Sequence, residues 1–316
     1  MTAKGLEPTR VRGGRWSPRT LTRSVVASAR RSMVPYLFMA PALALMAVFV
    51  LYPLFRSIQL SLYSWDGLGE PVFIGVRNFQ RLAVDPQFSL TLRHTIAFTV
   101  GAALGTVVIG LVLAVAIASR VRGWRVFKIT WFIPVMVSMT VTGVLWSQLL
   151  ASGDTPINSI LGLFGVSDPP DWLGNADTTL PVIILVTIWQ FSGFPMIIFL
   201  AAMENIPREL EESAVIEGAS LWQRTRSLTI PLIKPVIAIV VLLQIIFSLK
   251  VFDIVWAMTQ GGPGDSSLVL GVYLYRQGFM FERFGYASAI AVVMAALIIV
   301  FTLGYLRFVR PASYEY

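Results

Sequence analysis

Apolar residues gather along this chain into long blocks separated by short polar stretches. Six blocks run roughly over residues 34–60, 95–119, 129–150, 180–203, 235–256 and 286–308. Each reaches the ~20 residues that an α-helix needs to cross about 30 Å of hydrocarbon. A strand left open in lipid would strand its backbone N–H and C=O groups, so the blocks predict helices. The fold class is therefore an all-α membrane protein with six transmembrane helices. The first block follows an Arg-rich lead-in, but it is too long for a signal-peptide core and no small-residue cleavage site closes it, so it predicts a retained helix. Pro41, Pro53, Pro134, Pro181 and Pro195 sit inside or beside the blocks, and Gly101 and Gly105 are spaced to let two helices approach closely.

Lys and Arg between the blocks predict orientation. The stretch before the first block carries Lys4, Arg10, Arg12, Arg15, Arg19, Arg23, Arg30 and Arg31. The connection after the second carries Arg120, Arg122, Arg125 and Lys128, and the one after the fourth carries Arg208, Arg224, Arg226 and Lys234. Arg307 and Arg310 close the chain. The alternate connections hold only Arg77, Arg81 and Arg93, then Arg276 and Arg283, and the 151–179 connection is acidic, with Asp154, Asp168, Asp171 and Asp177. Both termini are expected in the cytoplasm. The chain reads as a basic tail over 1–33, a six-helix domain over 34–310 and a short tail over 311–316.

Composition agrees. Of 316 residues, 56% are hydrophobic and 13% charged, against about 25% charged in a soluble domain, and mean hydropathy is +0.72. The net charge of +8 lies in segments flanking apolar blocks, where it meets membrane lipid. No basic face interleaved with aromatics points to nucleic acid. The chain has no cysteine and one histidine, His94, which excludes disulfide and thiolate chemistry and a multi-histidine metal site. His94 reads as an interfacial residue at the edge of the second block.

The connection over 205–235 is built rather than slack. Pro207 suits a first helical position and Glu209, Glu211 and Glu212 favour the positive end of a helix dipole. Gly218 ends this short helix. Ser220 with Gln223 fits a capping box for a second one, which Pro231 stops before Pro235 opens the fifth span. Ordered structure where a plain loop would suffice predicts a docking surface.

This stretch resembles the E-A-A…G…I-x-L-P loop of ABC importer permeases, with Glu212, Ala214, Gly218, Ala219, Ile230 and Pro231 at the motif positions. Ser213 stands where Ala is usual, Glu217 where Asp is usual, Leu228 where Ile is usual and Thr225 where an aromatic is common. Phe252–Gly264 (F-D-I-V-W-A-M-T-Q-G-G-P-G) resembles a segment of the carbohydrate-uptake branch, as do Y-R-Q-G-F, R-F-G-Y-A-S-A over 283–289, and F-I-G-V-R-N-F over 73–79. The resemblance implies a type I importer-like permease bundle in a prokaryotic inner membrane. It implies a second permease subunit, two ATPase subunits seating the docking loops, and an external solute-binding protein delivering a sugar, a polyol or a sugar phosphate. The chain has no G-x-x-x-x-G-K-[ST] phosphate loop, so ATP and Mg are assigned to the ATPase and no cofactor to this chain.

A sugar pathway needs polar groups and aromatic faces inside the bundle, and intramembrane polar groups are functional candidates by default. The fifth block offers Gln244, Ser248, Lys250 and Asp253. Lys250 and Asp253 are three apart, where they would pair on one helix. The fourth offers Trp189 and Gln190, near Gly193 and Pro195, where the helix is expected to loosen. Two rivals compete with this reading, and dependence of transport on a separate ATPase discriminates the first, a secondary active transporter working without one. A secondary transporter usually shows more spans and an internal repeat. An intramembrane hydrolase needs a histidine beside a nucleophile or several metal ligands.

Overall fold

The computed structural model describes residues 38–119, 122–166 and 169–308. The basic tail 1–33, residues 34–37, Arg120, Asp168 and the tail from 309 lie outside the described residues. The chain divides into two units at Arg56 and Ser57. Helix α1, Phe38–Leu60, carries the described residues of the first unit, with a π turn over Ala47–Leu51, and its last turn begins the second.

In the second unit a small antiparallel hairpin, β1 (Tyr63–Ser64) and β2 (Val72–Phe73), precedes α2 (Arg77–Val84). Buried Asn78 pins it by donating to the carbonyls of Ser61 (2.8 Å) and Tyr63 (2.9 Å). Helix α3 runs over Pro86–Ala118 and starts earlier than the apolar block predicts. Asp85 caps it by accepting from the Gln87 N–H at 2.9 Å, and Pro86 takes a first-turn position that needs no donor. The added turns are polar, which is why hydropathy misses them. Buried hydroxyls on this helix are satisfied locally: Thr95, Thr99 and Thr106 donate to carbonyls four residues back at 2.7–2.8 Å.

The third block is not one straight helix. Helix α4 (Trp124–Phe132) passes through a 3-10 turn at Ile133–Met136, the chain extends at Val137 and Ser138, and α5 (Met139–Leu149) leaves at 100°. Pro134 lies in the tight turn, where its missing N–H breaks the α ladder. After α6 (Pro156–Leu163), the fourth block forms α7 (Ala176–Phe191) and α8 (Gly193–Glu204), bent by 40° at Ser192. Pro195 cannot donate to the carbonyl of Phe191, so the helix loosens there, in accord with the sequence.

Helix α9 (Arg208–Ile216) is short. Pro207 is its N-cap, with extended ψ of 131°, not its first helical residue. Helix α10 corrects two expectations. It runs unbroken over Leu221–Leu249, so Pro231 does not stop it. A π turn at Thr225–Thr229 widens the helix where Pro231 enters without an N–H, and the Ile230 N–H bonds back to the Thr225 carbonyl. The helix ends at Leu249, short of the predicted Trp256. Lys250 is its C-cap, and Asp253 begins a separate helix, α11 (Asp253–Thr259). Then come α12 (Leu270–Tyr275), a π turn at Arg276–Met280, and α13 (Phe284–Phe308).

Helix α3 is central: α7, α8 and α10 pack around it, while α11 packs on α5. One core joins Val107, Ala114 and Ile117 of α3 to Met196, Phe199 and Leu200 of α8 and to Ile233 and Val240 of α10. Gly110 permits this approach, because a Cβ there would lie 2.6 Å from Pro195 Cβ and 3.0 Å from both the Met196 nitrogen and the Ser192 carbonyl oxygen. By length and apolarity four helices qualify as membrane spans, or up to six if each bent pair is one span.

Candidate functional site

Two places collect the residues singled out in the sequence. At the first, α9 ends in a closed motif. Gly218 takes φ of +77°, its N–H bonds to the Val215 carbonyl, and the Ala219 N–H bonds to the Ala214 carbonyl, each at 3.0 Å. This pair of bonds is a Schellman C-cap, which needs the left-handed conformation that glycine adopts without strain. Two residues on, Ser220 and Gln223 cap each other's backbone at 2.7 and 3.3 Å, the capping box expected from sequence. The segment is thus two caps back to back, with both turns hydrogen-bonded.

Glu212, Ser213, Ala214, Glu217, Gly218 and Ala219 all fall on this unit. Only Ala214 and Ala219 are half-buried, and the rest are exposed. The Ser213 hydroxyl donates to the Glu209 carbonyl at 2.7 Å, so Ser in place of Ala keeps the helix closed. Ile230 and Pro231 lie apart from it, where the π turn of α10 gives way to α helix. Thr225 is buried. Besides Leu210, the exposed large apolar side chains are Val215, Ile216, Leu221 and Trp222, with Ile216 at 87% and Trp222 at 69%. Sequence reasoning missed these four, although apolar residues in a polar connection were the available signal. A cleft of about 420 Å³ lies beside this unit, lined by Arg208, Glu211, Glu212 and Arg224 together with the ends of α3 and α8.

The second place is a cavity of about 500 Å³ among α3, α5, α7, α8 and α10. Gln244, Ser248, Lys250 and Asp253 all line it. The Gln244 amide donates to Thr106 Oγ1 at 2.8 Å, and that hydroxyl in turn donates to Ala102. Lys250 and Asp253 do not share a helix, and the Lys250 ammonium lies 5.8 Å from the Phe247 ring centre. Where α10 ends, the break turns both charged side chains to the cavity. Phe191, Phe194, Phe247 and Phe252 supply aromatic walls, and no local pattern marks these out from the other phenylalanines.

Gln190 and Trp189 are placed elsewhere. Gln190 is fully buried and its amide donates to the Val137 carbonyl at 3.0 Å, at the break between α4 and α5. That carbonyl has left the helical ladder, so the bond satisfies a backbone group freed by the 100° turn. Trp189 packs edge-on against Trp146, with ring centres 5.3 Å apart. His94 contacts the Leu268 carbonyl at 3.2 Å through Nδ1.

Four to six helical segments long and apolar enough to cross a membrane, a twice-capped polar connection and an internal polar–aromatic cavity are the features to set beside known proteins. The family described as binding-protein-dependent transport system inner membrane component matches residues 106–312, and this chain belongs to that family. A probable ABC transporter permease protein of Pyrococcus horikoshii is 35% identical over 278 residues, covering 86% of this chain and 95% of that one. The lactose transport system permease protein of Rhizobium radiobacter is 34% identical over 277 residues, covering 86% and 92%. A solved bacterial alginate ABC transporter, in complex with alginate pentasaccharide-bound periplasmic protein, contains a chain of the same fold. The TM-score is 0.80 at 23% identity, covering 90% of this chain and 96% of that one.

Proposed function

We propose that this chain is one of two permease subunits that together carry a sugar, or a related polyol or sugar phosphate, across a prokaryotic inner membrane. In this reading it spans the membrane six times, each bent pair counting as one span, with both termini and the 205–235 connection in the cytoplasm. Two ATPase subunits bind ATP and Mg and seat the docking segments, and an external binding protein delivers the solute. Domain limits are 1–33, 34–310 and 311–316. The observation that carries the reading is the internal cavity, where Gln244, Ser248, Lys250 and Asp253 meet phenylalanine walls within an apolar bundle. Hydroxyls need such hydrogen-bonding groups, and the C–H faces of a sugar ring need such aromatic ones. The name of the lactose relative supports the substrate class.

The test is uptake by vesicles holding the chain with its partner permease and ATPases, using the sugars that the cognate binding protein retains. Uptake should require ATP and the binding protein. Gln244→Ala should lower it about tenfold, the loss of one well-placed hydrogen bond, while binding-protein-stimulated ATP hydrolysis persists. Uptake by the chain alone, driven by an ion gradient, would overturn the importer reading in favour of a secondary carrier.

A further inference from the structure

Six aromatic side chains form one unbroken run. From Trp65 it passes to Phe284 (ring centres 5.6 Å apart), Phe279 (5.7 Å), Tyr275 (5.3 Å), Trp256 (4.7 Å) and Phe252 (5.9 Å). These residues come from the hairpin connection, the start of α13, the π turn after α12, α12 itself, α11 and the break before α11. Two contacts, Phe252–Trp256 and Tyr275–Phe279, join residues four apart in the chain, and the fold joins these pairs to each other and to Phe284 and Trp65. None of the six is buried, and Phe279 is 63% exposed. A cluster that served only as core would enclose its rings.

The ends of the run open on two cavities. Phe252 lines the internal cavity described above. Trp65 lines a polar pocket of about 710 Å³ beside the hairpin, together with Asp66, Arg81, Arg283 and Gln277. Gln277 is 4% exposed, and its Oε1 is a buried acceptor without a hydrogen-bond partner. A buried unsatisfied acceptor is costly unless something donates to it, and a hydroxyl-rich ligand in the pocket supplies donors.

We infer that this aromatic run is a track along which a sugar ring passes between the hairpin-side pocket and the internal cavity, held by successive ring faces. The inference rests on the sugar-transport reading. Hydroxyls are recognised at the two polar ends, while the stretch between them holds the apolar face of the ring weakly and without fixed register. Weak, repeated contact suits passage better than tight binding, since a deep intermediate site would trap the cargo.

Phe279 gives the cleanest test, because it is exposed and a substitution leaves no cavity. Phe279→Leu keeps apolar bulk and removes the ring face, whereas Phe279→Tyr keeps the face. In vesicles holding the whole importer, the Leu variant should take up labelled sugar about threefold to tenfold more slowly, and the Tyr variant should stay within about twofold of wild type. Both should leave the amount of inserted protein and the binding-protein-stimulated ATP hydrolysis unchanged. A Leu variant as fast as wild type would overturn the track, and so would a Tyr variant as slow as the Leu one. The wild-type control separates the two readings. A wild type that moves no sugar with ATP and binding protein present sinks the importer proposal itself, whereas an active wild type beside an unaffected Leu variant sinks the track alone.

Discussion

Asp85 stands between α2 and α3 and gathers donors from three elements. Its carboxylate accepts from the Gln87 N–H at 2.9 Å, from the Tyr286 hydroxyl at 2.6 Å and from the Tyr273 hydroxyl. Burial pushes its pKa up, but the bonds from Tyr273, Tyr286 and the N–H groups of Gln87 and Phe88 outweigh burial and hold it below the ordinary carboxylate value. Tyr273 moves the opposite way: burial and the neighbouring Asp85 raise its pKa. A lowered carboxylate pKa adds stability above the unfolded value, near ~3.9. That stability is lost as pH falls through the lower folded value. Asp85→Ala should therefore lower the thermal unfolding midpoint at neutral pH, by an amount equivalent to about 1 kcal/mol given partial solvent exposure. The gap between variant and wild type should close under strong acid. A gap that is unchanged from neutral to strongly acid pH would show that Asp85 acts through packing alone.

At the scale of elements, the segment proposed to dock the ATPase is held by its two caps rather than by burial. A Cβ at Gly218 meets nothing within 4 Å, so the cost of a side chain there comes from φ of +77°, about 1 kcal/mol. That strain reaches the bond from Ala219 to Ala214, which sets where Glu212 and the exposed Ile216 stand. Gly218→Asp and Glu212→Lys should both abolish uptake while the chain still inserts in the membrane. The ATPase should then detach, or hydrolyse ATP without responding to the binding protein. Normal assembly and transport in both variants would remove the coupling role. The exposed Trp222 adds an element that the motif alone does not show. Much of this segment was legible from sequence because caps are local: Ser220, Gln223 and Gly218 act within a few residues of themselves. The length of α10 was not, because Pro231 reads as a stop until a π turn makes room for it.

For the whole molecule, the distribution of Lys and Arg predicts an orientation that can be measured directly. The chain lacks cysteine, so a single Cys replacing the exposed Ser220 reports its own side. It should resist a membrane-impermeant thiol reagent in intact cells and react once the cells are opened. Labelling in intact cells would reverse the proposed orientation.

Apolar blocks, the absence of cysteine and the docking motif are properties of contiguous sequence, and they fixed the helical membrane class and the family resemblance without coordinates. The bend near Pro195 was also readable, since a proline past the first turn of a helix removes a hydrogen bond. Tertiary structure alone decided which polar residues face the cavity. Gln190 and Gln244 look equivalent in sequence, each a glutamine within an apolar block. One is held by the Val137 carbonyl that a 100° turn leaves free, and the other lines the cavity beside Thr106. Lys250 and Asp253 read as a pair on one helix until α10 ends at Leu249. Such assignments depend on neighbours far away in the chain, brought close by packing around α3, and no local pattern encodes them.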